Sequence, residues 1–508
     1  MISTNNHTIV KNTILLYARM LFMLVIGLYT SRVLLTTLGV EDFGLYNVVG
    51  GVIILTNVLT VSVSSAGIRF ITYYLGKDDL GSMKNLFGNL LTVYITLAVI
   101  VLFLGETIGL WLVMEKLSIP AERYVACMWV YQLSIAAAMI NIVSLPYNSI
   151  IIAHEKMSVF AFITFFDVIL KLLIVYVTLV ISYDKLIVYA LLILLIQFFD
   201  RMVYGVYCTR KFAEVHVRPI FDKDIIKQIV SYSLWAMIGG VGYMGYTQGL
   251  NILLNIFFGP VVNAARAISV QVETKSRSFS ESFQLAVKPQ IIKNYASGNL
   301  ERVRELMVMD SKFSFYLIFL IALPISFNIN MILSWWLVEV PHWTDEFVMI
   351  TFAITAIRVL ADPLFQVIHA EGHIRNFQIA EGGTLIMILP VCYILMKYYH
   401  VSPIVPYFAL FVIELIAQCV RIAYALPIAK YRLKGYLSEI IMPVMRVLFA
   451  SLAFLLTLSN LSLLPPNSIV GFIASILVAT ASILYLGCNS RERRLIFNKV
   501  YSFVNKIR

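Results

Sequence analysis

Apolar runs of twenty or more residues recur from one end of the chain to the other, separated by short polar connections. Stretches such as "LLYARMLFMLVIGLYTSRVLLTTLG" show none of the strict alternation that a transmembrane β-barrel strand requires. A bilayer core about 30 Å thick takes about twenty apolar residues per helix. Backbone in lipid must satisfy its own hydrogen bonds, so these runs predict helices. Spans are expected near 12–38, 43–75, 85–113, 121–152, 157–181, 185–209, 225–258, 263–296, 309–336, 345–370, 375–397, 403–428, 440–459 and 466–488. The fold class is an all-α polytopic membrane protein of about fourteen transmembrane helices.

One break in the pattern occurs twice. "LPYNSIIIAHEKMSVFAF" (145–162) is answered by "DPLFQVIHAEGHIRNFQI" (362–379), with Pro146 on Pro363, Ala153 on Ala370 and Phe160 on Phe377. At nearly the same separation Gly39 falls on Gly259, Leu80 on Leu300 and Leu86 on Leu306. Three correspondences in one order imply an internal repeat, with six helices in each copy and two appended. An even number returns the chain to its starting face, so the copies are parallel, related by an axis along the membrane normal. The expected organisation is a six-helix lobe at 1–209, a cytoplasmic linker at 210–224, a second lobe at 225–428, helices 13 and 14 within 429–488, and a basic tail at 489–508. The repeated proline either kinks its helix or ends it.

Composition sharpens this picture. The chain is 60% hydrophobic and 13% charged, where soluble domains run near 45–50% and about 25%. With the N-terminus in the cytosol, the outer connections keep only Lys116, Arg123, Lys185, Arg266 and Lys397, and most other Lys and Arg fall inside. That bias places both termini in the cytoplasm. It also accounts for the net charge of +11 without a nucleic-acid partner. The first run holds Arg19 and Arg32 and reads as a retained anchor rather than a cleaved signal. The tail "SRERRLIFNKVYSFVNKIR" alternates basic and apolar residues and suits an anionic leaflet.

The chemistry-bearing motifs are few. Five cysteines lie far apart, without metal or disulfide spacing. The chain carries no phosphate-binding GxxxxGK[ST] loop, HExxH motif or nucleophile–base arrangement, so neither a catalytic residue nor a cofactor is expected. His369, Glu371 and His373 alone do not make a zinc site. The longest outer connection, "LVEVPHWTDE" at 337–346, is too short for a catalytic domain. Transport is therefore expected, and an enzyme is not.

Charges inside spans are costly and mark function. The eighth span, "NAARAISVQVETKSRSFSESFQLAVKPQ", brings Arg266, Glu273, Arg277, Gln284 and Lys288 onto one face, with Glu281 at its edge. This stripe either lines a cavity or forms a seam such as Glu273–Arg277. Arg19 and Arg32 in the first span are further substrate-binding candidates. Arg358 with Asp362, and Asp167 with Lys171, are spaced as i,i+4 pairs and are candidates for ion coupling. Glu381 and Glu414, with no evident local partner, are alternatives for that role.

At "NTILLYARMLFMLVIGLYTSRVLLTTLGVEDFGLYNVVGG", "RFITYYLGK" and "LPYNSIIIAHEKM" the sequence resembles the polysaccharide branch of the multidrug/oligosaccharidyl-lipid/polysaccharide exporters. These are the Wzx-type O-antigen and capsule flippases. The resemblance extends over nearly the whole chain. It implies a transporter of the bacterial inner membrane that moves an undecaprenyl-pyrophosphate-linked oligosaccharide to the outer leaflet by alternating access. It also implies a role in lipopolysaccharide or capsule biosynthesis beside a polysaccharide polymerase machinery. In the lipid II relative a first-helix arginine contacts the diphosphate, a role that would fall on Arg19. The alternative is a cation-coupled multidrug or small-molecule antiporter.

Overall fold

The computed structural model describes residues 57–490 apart from 78, 116–118 and 338–339, together with 492–494 and scattered positions between 12 and 49. Among the described residues the regular structure is helical, with no strand. In chain order the long helices are α1 (Leu15–Gly27), α2 (Asn57–Gly76), α3 (Leu80–Leu104), α4 (Tyr124–Ala153), α5 (Met157–Val180), α6 (Lys185–Lys211), α7 (Lys223–Phe258) and α8 (Pro260–Ala296). They continue with α9 (Leu300–Phe327), α10 (Thr344–Glu371), α11 (Arg375–Ile386, resuming as Ile388–Tyr399), α12 (Val405–Ile428), α13 (Met442–Asn460) and α14 (Ile469–Ser482).

Ten described helices are long and apolar enough to cross a bilayer. The expected span at α8 has the length but is interrupted by charged and polar side chains. Most of 43–56 lies outside the described residues. The expected span 309–336 divides at Asn328, where α9 ends and a short helix, Ile329–Trp336, begins. Pro324 lies in the last turn before that break. Helix starts follow local chemistry: Asp79, Asp184 and Asn299 each accept a backbone N–H of the first turn, from Ser82, Leu186 and Arg302.

The repeat has a backbone counterpart. Gly39 and Gly259 both adopt left-handed φ, +80° and +82°. The turns after α4 and α10 pass through Glu155 and Gly372 at φ +58° and +95°. Pro146 and Pro363 are buried inside α4 and α10, and each helix continues past its proline to Ala153 or Glu371. Neither proline is a terminator; the positive-φ residue ends the run.

The chain forms two compact units. The first comprises Met1–Val241 with Ile292–Gly298 and Gly372–Arg375. Its core packs α4 against α3 and α6 around Cys127, Val130 and Tyr131, whose hydroxyl donates to the Gly105 carbonyl at 2.6 Å. The linker after α6 is stapled to α3. Ile220 N–H reaches the Gly88 carbonyl at 3.1 Å, Thr92 Oγ1 donates to the Ile220 carbonyl at 2.6 Å, and Asp222 N–H reaches Asn89 Oδ1 at 2.7 Å. Glu214 of this linker sits 2.5 Å from His154 Nε2. Burial pushes the Glu214 carboxyl up, but the His154 hydrogen bond and neighbouring positive charge outweigh it and hold the group below the usual carboxylate range.

In the same unit Arg69 is buried over the rings of Phe70, Tyr73 and Tyr232 at 4.5, 5.3 and 5.4 Å. A Cβ on Gly372 would meet the Arg69 guanidinium, 2.6 Å from Cζ, in a backbone conformation that L-residues avoid. Gly372→Ala is expected to cost about 2 kcal/mol, the left-handed penalty plus displacement of Arg69. Thermal unfolding of the purified variant checks this, and an unchanged midpoint would refute it.

The second unit comprises Gly242–Ile291, Asn299–Glu371 and Asn376–Arg508. Its core centres on Phe347 of α10 stacked on Tyr407 of α12, ring centroids 4.1 Å apart. Helices α13 and α14 belong to it. Tyr316 of α9 donates to the Gly487 carbonyl at 2.9 Å, and buried Lys312 pairs with Glu492 at 2.8 Å.

Candidate functional site

Each unit carries a polar centre in otherwise apolar packing. In the first, a cavity of about 230 Å³ lies among α4, α5 and α6. Three helices each contribute a stripe at i, i+3 and i+7: Asn141, Ser144 and Asn148 from α4; Thr164, Asp167 and Lys171 from α5; Gln197, Asp200 and Tyr204 from α6. Residues so spaced share one helix face, which is why three separate sequence segments converge on one space. Lys171 Nζ bonds Asp167 Oδ2 at 2.8 Å, and Asp200 stands beside Asp167. Asp167 Oδ1 is buried without a hydrogen-bond partner among the described residues. The Arg19 guanidinium lies 4.4 Å over the Phe160 ring, close enough to Tyr204 and Asp167 to interact electrostatically.

In the second unit the charges form a ladder. Arg358 of α10 pairs with Glu273 of α8 at 2.7 Å and with Glu414 of α12 at 3.4 Å. Arg421 of α12 pairs with the same Glu414 at 2.7 Å and with Glu381 of α11 at 2.7 Å. Both arginines and Glu414 are almost fully buried, at 7%, 4% and 1% side-chain exposure. A second group lies alongside: Arg277 pairs with Asp362 at 3.2 Å and with Glu281 at 3.4 Å, and Gln284 donates to Asp362 at 3.2 Å. Arg277 retains 20% side-chain exposure and Glu281 57%.

The sequence-level candidates divide between these centres. Asp167 and Lys171 make the expected i,i+4 pair. Arg358 and Asp362 do not pair with each other; they turn apart to Glu273 and Arg277, because partners on neighbouring helices lie nearer than one turn along the same helix. The Glu273–Arg277 seam fails for the same reason. Arg266 is buried and held by Asn251 Oδ1 at 2.9 Å and the Thr247 carbonyl at 3.1 Å, separate from the ladder. Lys288 lies on the Asp362 side. Arg32 lies outside the described residues. Sequence reasoning missed Arg421, Asp200 and Asp310. Arg421 stands seven residues after Glu414 on the same face of α12, a spacing that would have announced it. Among the described residues no group of three His, Cys, Asp or Glu is placed to hold a metal ion.

No family model matches the sequence, and no curated protein does either. Solved structures do. The chain is similar to an outward-facing multidrug-resistance MATE family transporter of the MOP superfamily, with a TM-score of 0.72 at 12% identity, over 84% of this chain and 96% of that one. A MOP superfamily transporter from Pyrococcus furiosus, described for the reversed polarity of its binding pocket, gives 0.68 at 13% identity over 84% and 96%. The bent form of the Vibrio cholerae MATE transporter VcmN gives 0.68 at 16% identity over 84% and 98%. These likenesses show the fold: this chain has the helical architecture of those transporters.

Proposed function

We propose that the chain is a secondary transporter that carries a lipid-linked oligosaccharide from the cytoplasmic to the outer leaflet of a bacterial inner membrane, for surface polysaccharide biosynthesis. The observation that carries this reading is the cavity of the first unit. Its lining combines amides, hydroxyls, two carboxylates and an ammonium, the donor and acceptor set that suits a polyhydroxylated ligand. Two features support it. The matched transporters are nearly fully covered while 16% of this chain is left over, and α13 and α14 are the C-terminal segments available for that extra length. The sequence itself resembles the polysaccharide branch, and it lacks a nucleotide-binding loop, so a gradient or downstream consumption would drive transport.

A second reading, an antiporter of organic cations, is favoured by one observation. Among the ion-paired groups of the ladder and the cluster alongside it, Glu273, Glu281, Asp362, Glu381 and Glu414 outnumber Arg277, Arg358 and Arg421. Native mass spectrometry of the purified protein separates the two. A co-purified polyprenyl-diphosphate glycan is the expected adduct. Its absence, together with micromolar binding of organic cations such as ethidium, would overturn the glycolipid assignment.

A further inference from the structure

Helix α9 carries an acid that the ion pairs of the second unit do not absorb. Asp310 is fully buried, one turn before Ser314, whose hydroxyl donates to Asp310 Oδ1 at 3.0 Å. The other oxygen, Oδ2, is buried with no hydrogen-bond partner among the described residues. Gln284 of α8 closes the far side: its amide nitrogen donates to Ser314 Oγ at 3.3 Å and to Asp362 Oδ2 at 3.2 Å. A buried chain thus runs Asp310–Ser314–Gln284–Asp362, and Arg277 meets it at the Asp362 end.

Among the described residues, the charged groups on the surrounding helices leave Asp310 without a counter-ion. Asp362 of α10 is the charge that acts on it, and its sign is the same. Arg358 of α10 is engaged by Glu273 and Glu414. Arg277 and Lys288 of α8 lie on the Asp362 side. Lys312, half a turn along α9, is turned to Glu492. Glu439, before α13, and Arg446, in α13, are exposed, and α14 has no charged residue. A carboxylate buried with one satisfied oxygen and no cation is strongly disfavoured, and a proton on the orphan oxygen removes the charge.

We propose that Asp310 is a proton-binding site of the second unit, holding its proton on Oδ2 in this conformation and linked through Ser314 and Gln284 to the Arg277–Asp362 pair. The sign of the linkage follows from charge. Drawing Arg277 off Asp362 leaves the cluster more negative and strengthens its hold on the proton; releasing the proton requires water or a cation to reach α9. The proposal needs no assumption about the transported molecule.

Infrared difference spectroscopy across a pH series, on the full chain in lipid nanodiscs, tests it directly. Wild type is expected to show a protonated-carboxyl C=O band that Asp310→Asn lacks, and Arg277→Gln is expected to keep that band to higher pH. Should Asp310→Asn not fold, Ser314→Ala serves instead: loss of its hydrogen bond must shift the band. A carboxyl band unchanged in every variant, or its absence from wild type, overturns the site. None of these outcomes depends on a glycolipid, so this proposal and the functional one fail separately.

Discussion

Arg421→Ala is expected to destabilise the second unit by about 3–5 kcal/mol, the cost of breaking a buried pair and leaving charge behind. Arg421 is shared by Glu414 and Glu381, both at 2.7 Å, and all three are nearly inaccessible. Removing it strands Glu381 of α11 and leaves Glu414 with only the 3.4 Å contact of Arg358, which Glu273 already holds at 2.7 Å. The comparison that isolates the cause is a triple replacement, Arg421→Met with Glu414→Leu and Glu381→Leu. Apolar residues of similar volume need no counter-charge, so the triple variant should recover most of the lost stability. Thermal unfolding of the purified proteins reads both. Wild-type stability in Arg421→Ala would mean that water reaches this centre and screens it.

That ladder also marks where the sequence stops being legible. The apolar runs located the helices well, because the length a bilayer imposes and the need for internal hydrogen bonding admit one solution. The repeat was readable because backbone geometry demands particular residues: Gly39 and Gly259 occupy the same left-handed conformation at matching ends. Proline was less informative. A helix that keeps its packing on both sides tolerates the missing donor, so Pro146 and Pro363 mark the repeat without ending anything. Side-chain pairing was legible only within one helix, as in Asp167–Lys171. Arg358, Asp362 and Glu381 choose partners across helices, and that choice depends on rotation and depth of packing, which no spacing along one helix encodes. The polar cavity shows the intermediate case: each stripe could be read, and their convergence could not.

Among the arginines of the second unit, Arg277 is the one whose loss should abolish transport while sparing the fold. Its side chain keeps 20% exposure, against 7% for Arg358 and 4% for Arg421. Its partners, Asp362 at 3.2 Å and the exposed Glu281 at 3.4 Å, hold it more loosely than the 2.7 Å contacts of the ladder. An arginine that can leave its carboxylates can take a diphosphate bidentately; one locked between two buried acids cannot. Arg277→Ala is therefore expected to weaken capture of a polyprenyl-diphosphate glycan at least tenfold, about 1.4 kcal/mol, and to stop its transfer in proteoliposomes. Its unfolding midpoint should fall much less than that of Arg421→Ala, since Asp362 keeps the Gln284 hydrogen bond and Glu281 stays exposed. Arg277→Lys keeps the charge but loses the planar fork, so it should restore folding more fully than transfer. Undiminished transfer in Arg277→Ala would remove α8 from the substrate path and leave the cavity of the first unit to carry recognition alone.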